Sequence, residues 1–143
     1  MTVAVILKHK GSQVETLRPG TTLQQTVALL SSKRIGAAVV VGGQGEVSGV
    51  VSERDIVNAL AQHGASAMSM PIDKFMTREV VTCLAEDDLQ NAVDAMSAHK
   101  LRRIPVIDNN NRIVGIIAQA DVATRGDQPE KTAAVVREIS KSA

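Results

Sequence analysis

The chain has 143 residues, a 44% apolar share and a formal net charge of +1, values that suit a globular protein and give no electrostatic pull toward nucleic acid or an anionic membrane. No apolar run approaches the roughly 20 residues needed to span a bilayer. Cys83 is the sole cysteine, so no internal disulfide can form, and with no Trp, no Tyr and Phe75 alone, the core must be aliphatic.

In chain order, residues 1–10 carry a short apolar stretch with no basic segment before it and no small-residue cleavage site. It reads as mature sequence of a reducing, cytoplasmic compartment, with a short helix over residues 3–9 before Gly11. Residues 22–34 predict a helix, because Leu23, Val27 and Leu30 fall at i, i+4 and i+7 and Thr22 stands at the N-cap. A β-branched run over 38–41, the turn Gly42-Gly43-Gln44-Gly45 and a second run over 47–51 predict two strands. A helix then starts at the Ser52 corner, and residues 64–71, rich in Ala, Ser and Met, read as a linker. The pattern returns with Asp88 at an N-cap, the stripe Leu89, Val93 and Met96, strands over 104–107 and 113–117, and the turn Asp108-Asn109-Asn110-Asn111 between them. Another helix starts at Ala118, and residues 129–142 predict a polar-faced C-terminal helix with Ala133, Val136 and Ile139 on its apolar side.

The return is a repeat with a fixed offset. Gly49-Val50-Val51-Ser52-Glu53-Arg54-Asp55-Ile56 resembles Gly115-Ile116-Ile117-Ala118-Gln119-Ala120-Asp121-Val122, and 115 − 49 = 66. The same offset carries Val14 to Val80, Thr16 to Thr82, Leu23 to Leu89, Gln24 to Gln90, Ser31 to Ser97 and Val40 to Val106, with no gap. Each identity is weak alone, but their collinearity is not. The division expected is residues 1–13 as an N-terminal arm, 14–71 as the first repeat with its linker, 72–127 as the second, and 128–143 as the C-terminal helix. Each repeat reads strand, helix, strand, strand, helix, an α+β class. A half of about 60 residues buries too little surface to stand alone, so the two are expected to pack as a pseudo-two-fold pair.

These features resemble the cystathionine-β-synthase (CBS) family, whose tandem pairs are often called Bateman modules. Gly49-Val50-Val51-Ser52-Glu53-Arg54-Asp55 is similar to the family's Gly-h-h-Ser/Thr-x-x-Asp motif, h being apolar; Met76-Thr77 opens the second copy as in many members; and Arg103-Ile104-Pro105-Val106 resembles the family's strand-opening segment. The resemblance spans nearly all of residues 14–123 and looks like the short, stand-alone bacterial members. It implies a regulatory module binding an adenosine-containing ligand (AMP, ADP, ATP, an NAD-type dinucleotide or S-adenosylmethionine) in a cleft between the copies, with no required cofactor and no catalysis. Carried over by position, the first site would use Thr16, Gly36, Ala37, Ala38, Ser52, Arg54 and Asp55. The second would use Thr82, Arg103, Ile104, Pro105 and Asp121.

The residue chemistry can be read beside that resemblance. A carboxylate accepts two hydrogen bonds and suits a vicinal diol, whereas it repels phosphate; phosphate fits free N–H groups at a helix start beside a cation such as Arg54. Gly36, Ala37 and Ala38 leave room for a flat base. Taken alone, Ser52-x-x-Asp55 reads as a helix capping box. Ala118 cannot cap through its side chain, so capping accounts for Asp121 less well. The second copy has Ala118 and Ala120 where the first has Ser52 and Arg54, which predicts tighter anionic binding at the first site; Arg102 and Arg103 are the cations placed to compensate. His9, His63 and His99 lack metal-ligand spacing, Cys83 reads as a buried thiol, and the Gly42–Gly45 turn lacks the Lys-Ser/Thr of a phosphate loop. A two-fold homodimer acting on a partner protein is expected, with no nucleic acid and no membrane partner. The competing expectation is an interaction or scaffold protein that keeps the fold without ligand affinity.

Overall fold

The computed structural model describes residues 1–125. They form helices α1 (Val3–Lys10), α2 (Leu23–Lys33), α3 (Glu53–His63), α4 (Leu89–His99) and α5 (Gln119–Arg125) and strands β1 (Thr16–Leu17), β2 (Ala37–Val41), β3 (Val47–Ser52), β4 (Cys83–Leu84), β5 (Arg103–Ile107) and β6 (Ile113–Ala118). The strands make two three-stranded sheets, β1-β2-β3 and β4-β5-β6. The helix expected over residues 129–142 lies outside the described residues. Two units result among the described residues: Glu15–Val80, called repeat 1 below, and Met1–Val14 joined with residues 81–125, called repeat 2.

The 66-residue offset governs backbone geometry as well as sequence. In repeat 1, β1 runs parallel to β2 with Leu17 opposite Val40, and β2 runs antiparallel to β3 with Ala37 opposite Ser52. In repeat 2 the matching pairs are Cys83 with Val106 and Arg103 with Ala118. An irregularity falls between Val40 and Val41 and again between Val106 and Ile107. Arg34 and Lys100, at the C-caps of α2 and α4, both adopt left-handed backbone, with φ of 55° and 57°. In the hairpin turns the left-handed residue is Gly45 in repeat 1 and Asn111 in repeat 2, the residue types that tolerate positive φ.

Each repeat has its own aliphatic core. In repeat 1, Leu17, Leu23, Leu30, Val40, Val51, Ala59, Ala67, Ile72 and Met76 are buried together. The face that α2 buries is Leu23, Thr26 and Leu30, whereas Val27 is only half-buried. Thr26 is tolerated at 0% exposure because its hydroxyl donates to the Thr22 carbonyl at 3.0 Å, satisfying the polar atom inside the helix. The stretch expected as a linker is also structural. Gly64–Ser69 and Ile72–Lys74 form 3-10 turns, and they bury Ala67 and Ile72 completely.

Residues 1–13, expected as an arm, supply a wall of repeat 2. Val3, Ile6 and Leu7 of α1 enter a core with Leu89, Val93, Met96, Ile104, Val106 and Ile117. The amides of Val3 and Ala4 donate to the carbonyls of Asp87 and Ala85, both at 2.9 Å, and the Met1 carbonyl accepts the Leu89 amide at 2.8 Å. Main chain therefore satisfies the first amide of α4, and Asp88, although at the N-cap, makes no side-chain capping bond. Thr22 does cap α2, accepting the Gln25 amide while its own amide donates to the Gln25 side chain.

Candidate functional site

The candidate residues gather at one corner of each repeat, where the last strand turns into a helix. In repeat 1 the pairing of Ala37 with Ser52, and the Glu53 amide donating to the Gly36 carbonyl at 3.0 Å, bring residues 36–37 against 52–55. Thr16 is exposed on β1, opposite Val39. The Arg54 side chain is exposed and makes no hydrogen bond or ion pair among the described residues. Ala38 is 3% exposed and its side chain fills the repeat 1 core, so it can offer a ligand only main chain.

Ser52 and Asp55 form a complete capping box. The Ser52 hydroxyl accepts the Asp55 amide at 3.3 Å, and Asp55 Oδ2 accepts the Ser52 amide at 2.9 Å and the Ser52 hydroxyl at 3.1 Å. Both arms satisfy amides at the start of α3. Asp55 Oδ1 meets the Thr77 hydroxyl at 3.5 Å. The carboxylate is thus fixed through one oxygen, and among the described residues its other oxygen has one long, neutral contact.

The corner of repeat 2 repeats the backbone and changes the side chains. The Gln119 amide donates to the Arg102 carbonyl at 2.8 Å, matching Glu53 and Gly36. Arg103 is exposed, Pro105 is buried and Ile104 is 0% exposed within the core; Thr82 is half-buried just before β4. Capping explains Asp121 better than the loss of Ser52's counterpart suggests. Asp121 Oδ2 accepts the Ala118 amide at 2.9 Å, which is the arm of the box that needs no side chain at the N-cap. The same oxygen receives the Lys10 ammonium at 2.8 Å, and that ammonium also donates to the Ile116 carbonyl at 2.9 Å. Among the described residues, the cation paired with Asp121 therefore comes from α1, not from the Arg102-Arg103 pair. Sequence reasoning missed Lys10, although Val3, Ile6, Leu7 and Lys10 lie on one helical face and a lysine continuing a buried stripe signals a paired charge.

The motif glycines make room for neighbouring segments. A Cβ at Gly49 would lie 2.8 Å from the Thr77 carbonyl oxygen, and one at Gly115 would lie 2.7 Å from a Leu7 methyl. Burial, with the nearby Asp87 charge adding to it, pushes the Cys83 thiol up to about 12, which leaves no thiolate for nucleophilic work. Among the described residues, no three His, Cys, Asp or Glu side chains cluster as a metal site would need. No described helix is long and apolar enough to cross a membrane.

Comparison with known proteins agrees with this repeat architecture. The chain is 32% identical over 129 residues to the CBS domain-containing protein YhcV of Bacillus subtilis, covering 90% of each. Other curated relatives are longer, and the chain spans between 22% and 66% of their lengths. Among solved structures, it superposes on the CBS-domain containing protein ATU1752 from Agrobacterium tumefaciens with a TM-score of 0.75 and 32% identity, covering 87% of this chain and 98% of that one. The CBS domain pair of protein MJ0100, solved in complex with 5′-methylthioadenosine and S-adenosyl-L-methionine, gives a TM-score of 0.73 at 25% identity over 87% of this chain and 94% of that one. The family profile described as "CBS domain" matches twice, at residues 10–62 and 72–126, and the chain belongs to the CBS domain family as a tandem pair of its repeats.

Proposed function

We propose that the chain is a regulatory module that binds an adenosine-containing small molecule, an adenine nucleotide such as AMP, ATP or an NAD-type dinucleotide, at the Ser52–Asp55 corner of repeat 1. The observation that carries the reading is Asp55 itself. Its Oδ2 is held by the capping box and, among the described residues, its Oδ1 has only the 3.5 Å contact with Thr77, so a ribose hydroxyl can donate to an already oriented carboxylate oxygen. Arg54, exposed beside it, suits a phosphate, and Ala37 and Gly36, the latter with the Glu53 carboxylate lying against it, offer a base their main chain. The adenosine compounds bound to the related MJ0100 pair support the ligand class.

No step of this reading is catalytic. Binding acts by favouring one arrangement of the protein over another, to the extent that the ligand's affinity differs between them. The output passes through a cytoplasmic two-fold homodimer to a partner protein. Val57 and Leu60, 62% and 39% exposed on α3, give such a dimer apolar surface to bury, and light scattering of the purified chain checks it.

The second reading is an interaction protein with no ligand. It is favoured by the finding that both carboxylates serve as helix caps. A thermal-shift panel of AMP, ADP, ATP, NAD, NADH, S-adenosylmethionine and 5′-methylthioadenosine separates the two. A ligand at 100 times its Kd adds about 2.7 kcal/mol, a shift of several degrees at this size. No shift with any member of the panel favours the interaction protein.

A further inference from the structure

Repeat 2 presents its aspartate in a different electrostatic state from repeat 1. Lys10 and Asp121 are 2.8 Å apart, and their side chains are only 22% and 20% exposed. The lysine is not a loose surface partner. It ends α1, whose Val3, Ile6 and Leu7 are buried in repeat 2 and whose first turn is bound to the 85–89 segment by main-chain hydrogen bonds. Its ammonium bridges the Ile116 carbonyl of β6 and the Asp121 carboxylate of α5. In repeat 1, by contrast, no described cation forms an ion pair with Asp55, and the neighbour of its Oδ1 is the neutral Thr77 hydroxyl.

We propose that Lys10 is the resident counter-ion of the repeat 2 corner, pairing the Asp121 charge on which a ligand hydroxyl would otherwise draw, so that repeat 1 alone takes the small molecule. The ammonium lies on Oδ2, the oxygen that also serves the cap, so a diol at Asp121 would meet a carboxylate whose charge is already paired and which is therefore the weaker acceptor. Drawing the ammonium away to free that charge would leave it a single described protein acceptor in a partly buried place, which is unfavourable. At Asp55 a diol displaces at most one long hydroxyl contact. The asymmetry thus stems from the N-terminal helix as well as from the missing serine and arginine.

This inference rests on the adenosine reading for its ligand, but one of its tests does not. The full chain is titrated calorimetrically with AMP, ATP and 5′-methylthioadenosine in turn. One site per chain is expected; Asp55→Asn weakens binding by about tenfold or more, and Asp121→Asn changes Kd by less than about twofold. Two sites per wild-type chain, or a tenfold loss with Asp121→Asn, overturns the proposal. Independently of ligand, a double-mutant cycle of Lys10→Met and Asp121→Asn in urea should show coupling of about fivefold or more in the unfolding constant, with Lys10→Arg retaining stability better than Lys10→Met. Absence of coupling overturns the proposal even if nucleotide binds. If coupling is present and no member of the wider adenosine panel binds, the adenosine reading falls while the pairing of Asp121 with Lys10 stands.

Discussion

The Thr77 main chain lies directly over Gly49, with its carbonyl oxygen 2.8 Å from where a Cβ would project, while Thr77 and the adjoining Val50 exchange two backbone hydrogen bonds of 2.9 Å. The segment leading out of repeat 1 therefore returns across β3 before repeat 2 begins, and it brings the Thr77 hydroxyl to Asp55. The motif glycine and the motif aspartate are parts of one local arrangement: the first admits the crossing segment that contacts the second. In repeat 2 the crossing segment is α1, with Leu7 over Gly115 and Lys10 on Asp121.

Alanine at the two glycines should not cost the same. At Gly49 the obstruction is main chain in a two-way hydrogen-bonded bridge, with Met76 Sδ only 3.0 Å away. At Gly115 it is the end of the Leu7 side chain, which can rotate within limits set by its burial. Gly49→Ala should destabilise by about 2–3 kcal/mol and Gly115→Ala by about 1–2 kcal/mol. Urea unfolding midpoints check the order; a larger loss at Gly115 would contradict it.

The left-handed C-caps offer the opposite kind of substitution. Arg34 and Lys100 are exposed at φ 55° and 57°, a conformation that places a Cβ unfavourably and that glycine adopts freely. Relief of that strain exceeds the extra chain entropy glycine brings, so Arg34→Gly and Lys100→Gly should each stabilise by about 0.5–1 kcal/mol. Chemical denaturation of each variant decides it, and a fall in stability at both positions would show that the side chains do more than cover the cap.

How much of this was legible depends on whether the signal is local or repeated. The strands, the hairpin turns and the main helices followed from periodicity and turn residues. The offset doubled that information, since the register of Leu17 with Val40 recurs as Cys83 with Val106. The placement of α1 on repeat 2 was not legible, because nothing local in residues 1–10 names a partner more than 70 residues away. Thr26, rather than Val27, fills the buried stripe of α2, and a buried threonine is legible as core only once its hydroxyl has found the Thr22 carbonyl. The capping role of Asp121 was undervalued for a similar reason. The arm that uses the Ala118 amide needs no Ser side chain, because every residue except proline can supply that amide.

Cys83 gives a pH-dependent check on the core. Burial, followed by the Asp87 charge, raises its thiol from 9.0 to about 12. An acid whose pKa is raised by folding favours the folded state while it stays protonated. Between about pH 9 and 12 the unfolded chain releases this proton and the folded chain keeps it, so this group's contribution to stability declines as pH rises. At pH 7–8 it contributes no slope. Native protein should react with a thiol reagent such as dithionitrobenzoate only as fast as the core opens, and urea should restore the ordinary rate. Rapid labelling of the native chain at pH 8 would contradict the burial of Cys83.

The last prediction concerns the ligand's charge. Asp55 and Arg54 divide a nucleotide between them: the carboxylate suits the ribose hydroxyls and repels phosphate, whereas the exposed guanidinium suits phosphate and has no role toward the sugar. The Arg54 side chain makes no hydrogen bond or ion pair among the described residues, so its removal should leave the fold intact and surface stability within about 0.5 kcal/mol. Arg54→Ala should therefore weaken AMP and ATP by about tenfold, the value of one charge-assisted hydrogen bond. It should leave 5′-methylthioadenosine, which has no phosphate, within about twofold. Asp55→Ala should weaken all three, because all three carry the ribose diol. Calorimetric titration of the two variants resolves the division, and an equal loss for all three compounds on removing Arg54 would mean that the guanidinium reads something other than phosphate.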